Sequence, residues 1–270
     1  MKLLLRWCLS WFASYYEVFA AIIQQRQLLI RLMWREAISR TSGTGLGIIW
    51  LFVQPALQVL TFWFLLDYIL KVRLPGNVPF LEYFLVAMLP WQLVQDSLSR
   101  SLGIFSEYSS LYQRTIFPTF LLPCLPLVVG LLVYAPIYAV VSAVLTSNLG
   151  SAIRAIVAMG LLALWLFPFC YLLAVLGLFI RELRQLAPFG ITIILYATPI
   201  LYTPAAVPES ITALMQFNVM ADVIALHEWN ILGSPVDQWN VVRPLSTWLL
   251  MTPVAWRIFQ RVAPYLREGL

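Results

Sequence analysis

The chain is predicted to be an all-α integral membrane protein with six transmembrane helices, an N-terminal amphipathic interface helix and external re-entrant half-helices. Three observations predict it. The 270 residues are 61% hydrophobic and 11% charged, with a mean hydropathy of +0.85; soluble domains run about 45–50% apolar and about 25% charged. Uncharged runs at residues 46–66, 115–153, 155–180 and 185–208 each reach the roughly 20 residues that cross about 30 Å of hydrocarbon as helix. The basic residues, finally, fall unevenly on the two sides that six spans define.

Residues 1–45 read as a cytoplasmic N-terminal segment. Residues 1–16 are apolar and aromatic and are expected at or near the membrane interface. Arg6 interrupts their apolar run and no small-x-small site follows, so a cleaved signal peptide is not expected. From Glu17 to Arg40 the pattern becomes amphipathic. Gln24, Gln27, Arg31 and Arg35 follow at steps of three and four on one helix face, with Ile23, Ile30, Trp34 and Ala37 on another. That is the make-up of a helix lying in the interface, with a solvated helix face as the plainer reading. Gly43-Thr44-Gly45-Leu46-Gly47 follows a helix and lacks a Gly-Lys-Ser/Thr, so it reads as an elbow into the first span rather than a phosphate loop.

A single transmembrane domain, residues 46–262, then has spans at about 46–68, 80–102, 120–145, 154–179, 186–203 and 244–262. Pro55 predicts a kink in the first, and Pro75, Gly76 and Pro79 break the loop after it. The second span turns polar in its latter half, with Gln92, Gln95, Asp96, Ser97, Ser99 and Arg100. Asp96 and Arg100 are i,i+4 neighbours that can pair. Polar side chains at membrane depth face protein or a water-filled path; the alternative is an interfacial helix end. Residues 204–232 carry Asn218, Asp222, His227 and Glu228, too polar and short for a crossing but suited to re-entrant half-helices buried in protein. Residues 263–270 form a cytoplasmic tail.

Six spans place both termini on one side. That side holds thirteen of the 17 basic residues: Lys2, Arg6, Arg26, Arg31, Arg35, Arg40, Arg100, Arg114, Arg181, Arg184, Arg257, Arg261 and Arg267. The other holds Lys71, Arg73, Arg154 and Arg243. The asymmetry makes the termini, residues 103–118 and the turn 181–184 cytoplasmic. Residues 103–118, GIFSEYSSLYQRTIFP, form a polar bridge between apolar runs. It is long enough for about two turns of helix flat on the membrane, and it reads as a place where another protein pushes.

The chain carries no engine of its own. One histidine, His227, stands without the second His of a zinc protease motif, and neither Gly-x-Ser-x-Gly nor a Walker-type loop occurs. Three cysteines give no metal spacing. No catalytic residue, metal site or bound cofactor is expected. The net charge of +5 is a topology signal rather than a nucleic-acid surface.

The segment LLIRLMWREAISRTSGTGLGIIWLFVQPALQ at 28–58 resembles the Trp-Arg-(Asp/Glu)…Arg…Leu-Gly-x-x-Trp…Pro start of ABC-2-type permeases that export polysaccharides. Leu89-Pro90-Trp91, Arg114-Thr-Ile-Phe-Pro118, Arg181-Glu182…Pro188-Phe189 and Ala197-Thr198-Pro199-Ile200-Leu201-Tyr202 continue it in order. The resemblance implies a type V exporter-like fold in the bacterial inner membrane. Two copies of the chain would form the pathway above two copies of a separate ATPase, which alone binds ATP and Mg. The bridge would be the coupling helix, with Glu107, Tyr108, Ser109, Ser110, Leu111, Tyr112, Gln113 and Arg114 as coupling residues. The amphipathic helix would be the gate helix. The implied cargo is a lipid-linked polysaccharide such as O antigen, capsule or teichoic acid. A lipid phosphate needs cations at the cytoplasmic face, where Arg31, Arg35 and Arg40 stand, though anionic head groups would satisfy them equally. A sugar path needs aromatic faces and hydroxyl partners, for which Trp50, Trp63, Trp91, Gln92, Gln95, Tyr196 and Tyr202 are the candidates. Rival readings are an ABC-2 exporter of a small lipid or drug, a carboxylate-coupled secondary transporter using Asp96, and a membrane-embedded transferase.

Overall fold

The computed structural model describes residues 2–69, 71, 80–114, 117–202 and 217–267, with the side chains of 2–12, 113, 114 and 267 outside that description. It is helical throughout, and no strand occurs among the described residues. Helices α1 (Lys2–Gln24), α2 (Arg26–Ser39) and α3 (Trp50–Trp63) are followed by α4 (Phe80–Ser101). Two short helices, α5 (Ile104–Glu107) and α6 (Ser109–Arg114), form the bridge. Then come α7 (Leu125–Thr146), α8 (Leu149–Phe179), α9 (Leu183–Ala197), α10 (Val219–Leu232) and α11 (Trp239–Val262).

The core is the trio α4, α7 and α8, each packed on the other two. Phe84, Trp91, Tyr138 and Tyr171 are fully enclosed there. Helices α7 and α8 are uncharged but for Arg154, and their all-round apolar surface suits burial between other helices. They form a hairpin with a tight connection. Ser147 takes a left-handed φ of 51°, and the Asn148 side chain caps α8 by accepting from the Gly150 amide at 2.8 Å. The connection expected between the spans at 120–145 and 154–179 therefore shrinks to two residues, Ser147 and Asn148. Helix α10 packs against α4, α8 and α11. Asn218 caps it, accepting from the Met220 amide while donating to the Ala197 carbonyl and the Thr198 hydroxyl.

Three of the described helical stretches, Gly47–Ile69, Thr119–Thr146 and Leu149–Phe179, are long and apolar enough to cross a membrane. The other expected spans are present as helices but miss that standard, each for its own reason. Helix α4 includes Glu82, Asp96 and Arg100 and turns polar in its latter half; α9 has 15 residues, about 23 Å; α11 includes Arg243, Arg257 and Arg261. Pro55 does not break α3, which runs on past it into wider π-type turns at Phe64–Ile69. Of the segment expected to be re-entrant, the end is continued by α10, a helix whose 14 residues span about 21 Å; residues 203–216 and the loop at 72–79 lie outside the described residues.

The amphipathic helix expected over 17–40 divides at Gln25. Its first part belongs to α1, which packs against α11. The Tyr15 hydroxyl donates to the Leu249 carbonyl, and Phe19 meets Phe167 at 5.5 Å and Trp248 at 6.4 Å. Aromatic rings at 15 and 19 are one turn apart, so the apolar face finds a helix to cover it. The second part, α2, buries Leu29, Leu32 and Ala37 and leaves Ile30, Trp34 and Ile38 exposed as an apolar stripe.

Candidate functional site

The bridge is where polar chemistry converges. Glu36 on α2 and Arg40, the residue capping its C-terminus, are i,i+4, and the Arg40 Nε lies 3.1 Å from Glu36 Oε1. One of its terminal nitrogens reaches Asp96 Oδ2 on α4 at 3.0 Å, and Arg100 Nε holds the other Asp96 oxygen at 2.6 Å. The Tyr108 hydroxyl of the bridge donates to Glu36 Oε2 at 2.5 Å. The Arg35 guanidinium stands 5.2 Å from the Tyr108 ring centroid, within cation–π range. Five charged side chains and one phenol thus join α2, α4 and the bridge. Arg40 is at the centre, with 8% of its side chain exposed.

A second clamp fixes the start of the bridge. Arg184, the second residue of α9, donates to the Leu102 carbonyl at 3.1 Å and to the Gly177 carbonyl at 3.2 Å. Helix α8 approaches so closely that a Cβ on Gly177 would fall 2.0 Å from the Leu102 oxygen. Below, Phe105 stacks on Phe259 at 6.2 Å and meets Tyr112 edge-on at 6.5 Å. Helix α6 rests on the turn Tyr265–Arg267.

Tyr108 and Tyr112 are therefore buried under the bridge, while Ser106, Glu107 and Ser110 are exposed and Ser109 and Leu111 half-buried. The face offered outward is the Ser106–Glu107–Ser110 side; the tyrosines hold the bridge from behind. The side chains of Gln113 and Arg114 lie outside the described residues. Arg31 and Arg35 are exposed, whereas Arg40 is engaged with two carboxylates. Arg40 thus differs from the free cation that a phosphate would need, because Glu36 and Asp96 already neutralise it.

The path candidates do not gather on one surface. Trp91 is enclosed, and Gln92 Nε2 donates to the Pro55 carbonyl at 3.3 Å, joining α4 to α3. The indole N–H of Trp63, that of Trp91 and Gln92 Oε1 are buried without a partner among the described residues. Gln95 is half-buried, while Trp50 and Tyr196 are exposed. The Tyr202 hydroxyl donates to the Tyr196 carbonyl at 2.7 Å. Sequence reasoning missed Glu36, Gly177 and Arg184 as parts of the site. The Glu36–Arg40 spacing was a visible signal; the Gly177–Leu102 approach had none.

Burial and the Glu36 hydrogen bond push the Tyr108 phenol up to about 12. A raised folded value favours the protonated phenol, so its contribution is complete below about 10 and is lost as pH rises through about 12. Tyr108→Phe is expected to weaken the chain by about 1.5–3 kcal/mol, the range for a hydrogen bond to a charged group. Thermal unfolding in detergent would measure it, and the wild-type difference should vanish at the alkaline end. Among the described residues no group of His, Cys, Asp and Glu is placed to hold a metal ion.

Fold and site define a helical membrane protein whose polar machinery grips a surface bridge. No family model matches the chain. It is 22% identical over 240 residues to an O-antigen export system permease protein RfbA of Klebsiella pneumoniae, covering 87% of this chain and 92% of that one. A protein of the same name from Myxococcus xanthus is 29% identical over 210 residues, covering 72% and 75%. These relatives bear out the resemblance to ABC-2-type polysaccharide-export permeases.

Proposed function

We propose that the chain is the membrane subunit of an ATP-driven exporter that moves a lipid-linked polysaccharide of the O-antigen type across the bacterial inner membrane. Two copies form the conduit, and two copies of a separate ATPase subunit bind beneath it; the chain itself holds no nucleotide. One observation carries the reading: the bridge is tied through Tyr108, Glu36, Arg40 and Asp96 to both α2 and α4. A push on its exposed Ser106–Glu107–Ser110 face reaches a half-exposed surface helix and a core helix together. Such a linkage suits work done by a partner, and the relatives' names supply the transport class.

The six-span arrangement, with cytoplasmic termini and α10 re-entrant from the far side, agrees with the charge asymmetry of the sequence. Pairing is supported by α3, whose only buried residue is Pro55, and by α9, where Phe189 and Ile193 are about 70% exposed. Arg31 and Arg35 remain the cations for a lipid phosphate, and Trp50, Trp63, Trp91, Gln92, Gln95, Tyr196 and Tyr202 the path candidates.

Co-expression with the candidate ATPase tests the proposal. The expected result is a complex of two and two, ATP-dependent appearance of lipid-linked glycan on the far side of vesicles, and loss of both with Glu107→Arg combined with Ser110→Arg. Transport of a small lipid or drug instead, or transport driven by a proton gradient without ATP, would overturn it.

A further inference from the structure

At the end of the bundle away from the bridge, α8, α10 and α11 enclose an apolar groove of about 590 Å³, within the size range of small-molecule sites. Val157 and Leu161 of α8 form one lip and Leu245 of α11 the other, each more than half exposed. Trp165 and Trp248 close the deep end, where the Trp165 indole N–H donates to the Thr247 hydroxyl at 3.0 Å. At the opposite end stands the exposed Arg154, whose side chain makes no ion pair among the described residues.

From Arg154 to Trp165 the helix rises about 16 Å, close to half of the roughly 30 Å of hydrocarbon in a bilayer. A groove one leaflet deep, with a cation at its head-group end, fits one kind of occupant: a long apolar chain ending in an anion. We infer that this groove seats one acyl chain of a bilayer phospholipid, with its phosphate on Arg154. A guanidinium presents paired donors to phosphate oxygens, and its aliphatic stem reaches the head-group level from an apolar helix. In a membrane-embedded chain the exposed apolar lip residues would face hydrocarbon, so the acyl chain enters sideways without crossing a polar barrier. The inference needs only that the chain is embedded in a membrane and does not depend on what it exports.

The test uses the full chain in nanodiscs containing phosphatidylglycerol with a photoreactive group near one acyl terminus. Cross-links mapped by peptide mass spectrometry should concentrate on residues 157–165 and 241–248, well above those on α9. Arg154→Gln should reduce that labelling about tenfold, the loss of one charge-assisted contact, and Arg154→Lys should restore part of it. Ala158→Trp, which fills the groove, should abolish it while the protein stays monodisperse; Leu161→Ala, which keeps the groove open, guards against a folding artefact. Equal labelling by a phosphate-free diacylglycerol probe, indifference to Arg154→Gln, or a chain-to-chain cross-link across the groove would overturn the assignment.

Discussion

Arg40→Ala is expected to destabilise the chain by about 3 kcal/mol and to free the bridge from α2 and α4. The side chain answers two carboxylates, Glu36 at 3.1 Å and Asp96 at 3.0 Å, whose own side chains are 12% and 18% exposed. Removing the cation leaves both acids close together and poorly hydrated. Breaking a buried pair from one side costs about 3–5 kcal/mol, and the partial exposure here argues for the lower end. Thermal unfolding in detergent and protease access to the bridge would report the two effects separately. Adding Glu36→Gln and Asp96→Asn to Arg40→Ala should return much of the stability, since the one charge then left without its partner, Arg100, is 43% exposed. Stability unchanged in Arg40→Ala together with lost lipid-phosphate binding would reverse the assignment and make Arg40 a cargo contact.

Asp96→Asn is the weaker companion. It removes the partner of both Arg40 and Arg100, yet Arg40 keeps Glu36 and Arg100 is 43% exposed and can reach water. The asymmetry between the two variants follows from which group is enclosed. Electrostatic energy here tracks burial more than the number of pairs.

These residues also show what the sequence could and could not carry. The membrane class and the long apolar helices were legible because hydrocarbon thickness writes itself into chain length and composition. The Asp96–Arg100 pair was legible from i,i+4 spacing on one helix. Arg40–Asp96 was not, because its partners are 56 residues apart and meet only when the chain folds the end of α2 up to α4. The burial of Tyr108 was not legible for the same reason: a tyrosine in a polar stretch looks exposed until a neighbouring helix covers it. The division of the helix at Gln25 was hidden because both parts are helical. What separates them is the packing of Tyr15 and Phe19 on α11 and α8, a tertiary event with no local signature.

Gly177→Ala is expected to be the most damaging glycine-to-alanine change among the described residues. The added carbon would fall 2.0 Å from the Leu102 oxygen and 2.8 Å from both its carbonyl carbon and its Cα. All three are backbone atoms, so no side chain can rotate away, and α8 or the start of the bridge must move. Overpacking commonly costs about 1–3 kcal/mol and occasionally more; a backbone clash belongs at the top, near 3. Movement at Leu102 also separates the two carbonyls that Arg184 holds together, so the clamp fails with it. Gly160→Ala on the same helix is the control, because a Cβ there meets nothing within 4 Å. Helix propensity alone should make that change stabilising by up to about 1 kcal/mol. Opposite signs for two glycine-to-alanine changes on one helix would locate the cost in the contact with the bridge. If both were tolerated alike, α8 would not be the element that seats the bridge, and Arg184 would grip a segment already free to shift.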